Sequence, residues 1–288
     1  MSGRPFQLVD VFPDDPAAGG ALTGNPLAVV FDADGLSTGE MQGITRWLNL
    51  SETTFLVTPT DPAADYQVRI FTLDRELPFA GHPTLGTCHA WLRRGGRPKR
   101  PGRVMQQCGV GLVEVRQGGG ILSFAAPPLI RSGPVEADLL AVIIDVLQIS
   151  ADAVLEATWA ANGPGWIMVR LADADQVLAL QPKHSCDRPL DLGVVGPYPP
   201  GGPLAYEVRA LFTAEAGSLR EDPVTGSLNA SVAQSLLASG RVTAPYVASQ
   251  GTVIGRRGRV FIDQDATGQV WVGGRSVTQF EGATVSAP

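Results

Sequence analysis

The stretch Glu221-Asp222-Pro223-Val224-Thr225-Gly226-Ser227, with the apolar run Leu228 to Leu237 behind it, decides how this chain folds. Its first residues are polar and turn-forming. The continuation places Leu228, Val232 and Leu236 at i, i+4 and i+8, which predicts a helix. A loop that runs directly into a helix aims unpaired backbone N–H groups at whatever lies in front of it. The acid Asp222 and the hydroxyl of Ser227 flank that positive end. The corner is suited to hold an anionic small molecule and to move a proton.

The design occurs twice. Glu76-Leu77-Pro78-Phe79-Ala80-Gly81-His82 precedes Pro83 to Leu92, where Leu85, Cys88 and Leu92 mark a helical face. Gly226 follows Gly81 by 145 residues, close to half of the 288-residue chain. Upstream of each corner lies a strand-like run, Tyr66-Gln67-Val68-Arg69-Ile70-Phe71-Thr72 and Tyr206-Glu207-Val208-Arg209-Ala210-Leu211-Phe212-Thr213. Gln250-Gly251 echoes Gln107 and Gly109. Shared order and spacing make internal duplication the reading. Two such corners meet across a pseudo-twofold axis, with a cleft between lobes.

Composition sets the limits. With 44% hydrophobic and 17% charged residues the chain is globular and low in charge. A net charge of −6 argues against general affinity for nucleic acid or an acidic membrane surface. Three cysteines without a Cys-x-x-Cys pair give neither a disulfide framework nor a zinc signature. The start lacks the apolar core of a signal peptide, and no uncharged run reaches spanning length, so a cytoplasmic soluble protein is expected.

Strands are expected at Gln7 to Phe12, Leu27 to Phe31, Thr53 to Val57 and, as hairpins about Gly118-Gly119-Gly120, over Val104 to Phe124. Ser37-Thr38-Gly39-Glu40 has the form of a capping box, opening a helix that Asn49 stops. Arg93 to Arg103 reads as a solvated basic loop. Ala125-Ala126-Pro127-Pro128 is the seam, giving lobes 1–126 and 127–288, with the last strand able to return to the first lobe. In the second half, Glu136 to Leu147 reads as a helix and Trp166 to Leu171 as a strand. Gln181 to Pro203 reads as a long surface connection, followed by strands at Tyr246 to Gln250, Arg259 to Asp263 and Val270 to Gly273.

Glu52 lies between an apolar helix face and a strand. Buried there, its pKa would rise and it could exchange protons near neutrality; an exposed helix–strand corner is the alternative. His82 reads as an imidazole at a helix start that bonds a substrate, or as a structural residue before Pro83. His89 follows two turns later, too far to share a metal. Asp222 and Ser227 read equally as helix caps. Glu76 and Glu221 occupy equivalent places and suit tying the two loops down. No phosphate-binding glycine motif and no Gly-x-Ser-x-Gly elbow occurs, so neither a cofactor nor a metal is expected.

Gly24-Asn25-Pro26-Leu27-Ala28-Val29-Val30, Asn49-Leu50-Ser51-Glu52-Thr53-Thr54-Phe55, Arg69-Ile70-Phe71-Thr72, Glu76 to Thr84 and Glu221 to Ser227 together resemble the PhzF-like phenazine-biosynthesis proteins. The resemblance implies the diaminopimelate-epimerase fold, an α/β (α+β) architecture of two pseudo-symmetric lobes, each a curved, mostly antiparallel sheet around a central helix. It implies Glu52 as proton-shuttling acid/base, with His82 and Asp222 as further catalytic groups. Asn25, Ser51, Gly81, Gly226 and Ser227 would bind substrate. It further implies a homodimer, a small anionic metabolite as ligand and no cofactor. Epimerases of the wider superfamily carry two opposed cysteines, where this chain has Gly81-His82 and Asp222. A single carboxylate moving a proton along one face therefore suits an isomerase. Asn229, larger than the small residue expected after Gly-Ser, stands at the mouth of the second helix, where it would reshape the pocket. The alternative is a non-catalytic metabolite- or partner-binding protein that retains the fold.

Overall fold

The computed structural model describes residues 3–15, 17, 19–214 and 217–284. Its contacts divide the chain into two compact units, residues up to Ala125 together with those from Gly273, and Ala126–Val272. No helix among the described residues is long and apolar enough to cross a membrane.

In the first unit, Ser276–Ala283 pairs antiparallel with Pro5–Val11, which pairs antiparallel with Asn25–Val30. A crossover through helix α1 (Thr38–Leu48) then brings Glu52–Val57 in parallel to Asn25–Val30. Tyr66–Thr72 follows antiparallel, with the two-residue strand Glu76–Leu77 on its end. Helix α2 (Gly81–Arg93) makes the second crossover, to Arg103–Cys108, parallel to Tyr66–Thr72. Gly111–Gly118 and Ile121–Ala125 complete the sheet. Helix α2 packs on Ser276–Ala283 as well as on Ile121–Ala125, so the sheet curls round it.

Local chemistry explains the helices. Ser37 and Glu40 form the reciprocal capping box, and Asn49, at φ 54°, ends α1 in the left-handed region. Helix α2 is buried from Gly81 to Cys88, on every side of its first two turns. Such a helix needs small residues, and Gly86 faces Leu27 and Val11 where a Cβ would come within 2.6 and 2.7 Å of their side chains. The basic segment after it is a loop, as expected, anchored by Lys99 donating to the carbonyls of Pro62 and Ala64.

The second unit repeats this order. Arg131–Pro134 pairs with Glu156–Ala161, and that with Trp166–Arg170, both antiparallel. Helix α3 (Ala137–Leu147) lies before Glu156–Ala161 in the chain. Helix α4 (Ala174–Ala179) crosses over to Asp191–Pro197, parallel to Trp166–Arg170. Tyr206–Thr213 and Leu219–Asp222 follow antiparallel. Helix α5 (Gly226–Ala238) crosses over to Tyr246–Gln250, parallel to Tyr206–Thr213, and Gly258–Gln264 closes against that strand.

One expectation fails. Within Gln181 to Pro203, Asp191–Pro197 is a paired strand whose interior residues are buried, not a surface connection. Its glycines, which read as loop, are packing positions: a Cβ on Gly193 would lie 2.3 Å from Leu228 of α5, and one on Gly196 would lie 2.1 Å from the carbonyl of Asp173. The register shows what this strand corresponds to. Glu52 stands opposite Leu27 and Thr72, and Asp191 opposite Trp166 and Phe212. Since Thr72 and Phe212 hold the same place in the repeated runs, Asp191 is the counterpart of Glu52.

Candidate active site

In the first unit, Glu52 heads its strand and is half-buried, its side chain 17% exposed. Its Oε2 lies 3.4 Å from Nδ1 of His82, the second residue of α2. His82 is 4% exposed. Burial pushes its imidazole down to about 3, with the Pro26 carbonyl acting weakly the other way. At neutral pH the ring is therefore uncharged, and the contact joins a carboxyl to a neutral imidazole rather than two ions. The Ala80 N-cap makes no side-chain hydrogen bond, so the Gly81 and His82 amides at the helix start are not occupied by a cap.

The sequence upstream is folded to serve this corner. Asp10, 3% exposed, accepts from the amides of Thr23 (3.1 Å) and Gly24 (2.8 Å), fixing the turn that delivers Asn25 and Pro26. Asn25 is fully buried at the start of its strand. Ser51 is exposed, directly before Glu52. Arg69 grips Glu76 through two hydrogen bonds of 2.8 and 2.6 Å and so ties down the loop that leads to Gly81.

The second corner is held by a polar clamp. The Asp222 carboxylate accepts from Thr225 Oγ1 at 2.5 Å. Gln250 donates to the Asp222 carbonyl (3.1 Å) and to Thr225 Oγ1 (3.0 Å). Its Oε1 accepts from the Thr225 amide (3.1 Å) and from Asn229 Nδ2 (2.7 Å). Asn229 is thus a buried strut, 2% exposed, beneath the loop rather than a side chain in its mouth. Capping also takes another form than either residue suggested: the N-cap of α5 is Thr225, without a side-chain cap bond. Ser227 Oγ instead accepts from Trp166 Nε1 at 3.0 Å, and the Ser227 carbonyl accepts from Asn162 Nδ2 at 2.8 Å. Gly226 is buried beside them. Arg209 and Glu221 reproduce the Arg69–Glu76 pair, with Nη2 to Oε2 at 2.7 Å.

The equivalence extends to the strand after each central helix. A Cβ on Gly109 would lie 2.6 Å from Cα of Pro78, and one on Gly251 would lie 2.5 Å from the Pro223 carbonyl. Each glycine lets its strand end press against the corner loop. Register makes Gly251 the match of Gly109, but Gln250 the match of Cys108 rather than Gln107.

Sequence reasoning did not find Asn162, Trp166 or the clamping role of Gln250. Their partners lie 21 to 65 residues away, and no local motif marks such pairs. The other histidines and the cysteines take no part in these contacts. His89 contacts Thr278 Oγ1 at 3.1 Å, His184 is exposed, and Cys88, Cys108 and Cys186 are buried and unbridged. The two corners thus present, in one unit, a carboxyl beside a neutral imidazole and, in the other, an acid, a hydroxyl and helix amides.

The profile of phenazine biosynthesis-like proteins, PhzC-PhzF, matches residues 9–282. Antisense-enhancing sequence 1 of Schizosaccharomyces pombe is 33% identical over 98% of this chain and 99% of its own. The trans-2,3-dihydro-3-hydroxyanthranilate isomerase of Pseudomonas fluorescens is 31% identical over 97% and 99%. A PhzF-family crystal structure from Enterococcus faecalis aligns with a TM-score of 0.78 over 99% of this chain and 100% of its own, and at 23% identity it speaks for the fold.

Proposed function

Because this chain belongs to the phenazine biosynthesis-like protein family and is an isomerase of that type, we propose that it moves a proton within a small cyclic or unsaturated carboxylic acid, without a cofactor and with Glu52 as its single acid/base. The observation that carries this reading is the 3.4 Å contact of Glu52 with a buried imidazole that burial keeps neutral. The Glu52 carboxylate takes a proton from one carbon, the π electrons shift, and the resulting acid returns the proton to another carbon on the same face. Neutral His82 orients and hydrogen-bonds the substrate, and Asp222 relays protons to its polar groups. Ser227 and the amides at Gly226 hold its carboxylate, while Asn25, Ser51 and Gly81 complete the binding residues. Cys88 supports a carboxylate over a thiol pair, since burial pushes its thiol up to about 12. The protein acts as a homodimer, as the family resemblance implies.

Glu52→Gln keeps the shape of the side chain and removes the base. With trans-2,3-dihydro-3-hydroxyanthranilate in D2O, followed by NMR, the wild type should isomerise the compound and incorporate deuterium. The variant should lose about 10²–10⁴-fold in kcat while binding it within a few-fold of wild type. Full turnover by the variant would refute the mechanism. Absence of exchange by the wild type across cyclic amino and hydroxy acids would favour a metabolite-binding protein.

A further inference from the structure

Asn162 sits in the turn between Glu156–Ala161 and Trp166–Arg170 and is 9% exposed. Its carboxamide orientation is fixed chemically: the partner at 2.8 Å is the Ser227 carbonyl oxygen, which accepts only from the NH2 group. Oδ1 is therefore the other end of the same amide, whose nitrogen is held on the first turn of α5. That oxygen is buried and makes no hydrogen bond among the described residues. Buried polar atoms in native proteins are almost all paired, and an orphan asks for an explanation. Trp166, 4% exposed, adds a second observation. Its Nε1 donates to Ser227 Oγ, so the Ser227 hydroxyl has its own proton left to donate. The start of α5 thus offers donors to an anion, and Asn162 sets a lone acceptor next to them.

We propose that Asn162 determines specificity: its Oδ1 accepts a hydrogen bond from an N–H or O–H on the carbon adjacent to the one that bears the substrate carboxylate. The inference rests on the placement of that carboxylate at Ser227 and Gly226. A substrate with the adjacent donor pairs the orphan oxygen, and one without it leaves the oxygen buried and unpaired. Discrimination of this kind is strong where a site is built to bond a donor that the competitor lacks.

The test is equilibrium binding, by calorimetry, of three planar acids: anthranilate with an adjacent amino group, salicylate with an adjacent hydroxyl, and benzoate with neither. Wild type should prefer anthranilate or salicylate to benzoate by about 10- to 100-fold. Asn162→Ala should bind all three alike. A merely structural Asn162 would lower all three affinities by one factor and leave their ratio unchanged in Asn162→Ala. That result, an absence of preference in the wild type, or no binding of any probe overturns the proposal. Binding is read without turnover, so failure here is distinct from failure of the Glu52 mechanism.

Discussion

The duplicated Arg–Glu pair provides an internal control for what burial does to an ion pair. Arg209 donates through Nε and Nη2 to Glu221 at 3.1, 3.2 and 2.7 Å, and through Nη1 to the carbonyls of Val177 (3.3 Å) and Leu180 (2.9 Å). Its side chain is 4% exposed and that of Glu221 9%. Arg69 and Glu76 make the same fork at 26% and 38% exposure. Glu221→Ala strands a guanidinium that two carbonyls satisfy only in part, and removing one partner of a buried pair costs about 3–5 kcal/mol. Glu76→Ala leaves its arginine to water, at about 0–1 kcal/mol. With a urea slope of about 2 kcal/mol per molar, the midpoints should fall by about 2 M and by less than about 0.5 M. Trp159, Trp166 and Trp271 report on the second unit by fluorescence, and Trp47 and Trp91 on the first. Added salt should shrink only the Glu76 effect. Equal midpoint shifts for the two variants would refute the assignment of the difference to burial.

Two further outcomes follow from the burial of histidines and cysteines. His82 and His89 are both held neutral, their pKa values lowered by burial to about 3 and about 4 from 6.5. Folded values below the unfolded one mean that stability is fully present above pH 6.5 and declines as pH falls toward 4 and then 3. At about 1.4 kcal/mol per pH unit, His82 alone accounts for about 5 kcal/mol, and urea midpoints measured from pH 7 to 4 should decline less steeply in His82→Asn. The cysteines should resist iodoacetamide at pH 8 in the native protein, with activity retained, and react only after unfolding. Rapid labelling with loss of activity, followed by mass spectrometry, would revive a thiol-based epimerase.

Much of this was legible because it is local. The capping box at Ser37, the helices behind Gly81 and Gly226, and the Glu76 and Glu221 that precede them at equivalent places are short-range signals that the structure realises directly. What escaped is set by partners distant in the chain. Asp191–Pro197 carries Gly193 and Gly196 because α5 and the Asp173 carbonyl press on it, and in sequence the same glycines beside prolines spell a loop. Asn229 looked like a pocket residue from its size, yet Gln250, 21 residues later, turns it into a buried strut. Asn162 carries no signal at all until Ser227 is folded against it.

Asp191 occupying the place of Glu52 has a consequence for how such a protein can diversify. A carboxylate heads this strand in both halves, whereas the second residue of the central helix differs, His82 in one half and Ser227 in the other. New chemistry on this scaffold does not require the invention of an acid. It requires only an exchange at the second residue of either central helix.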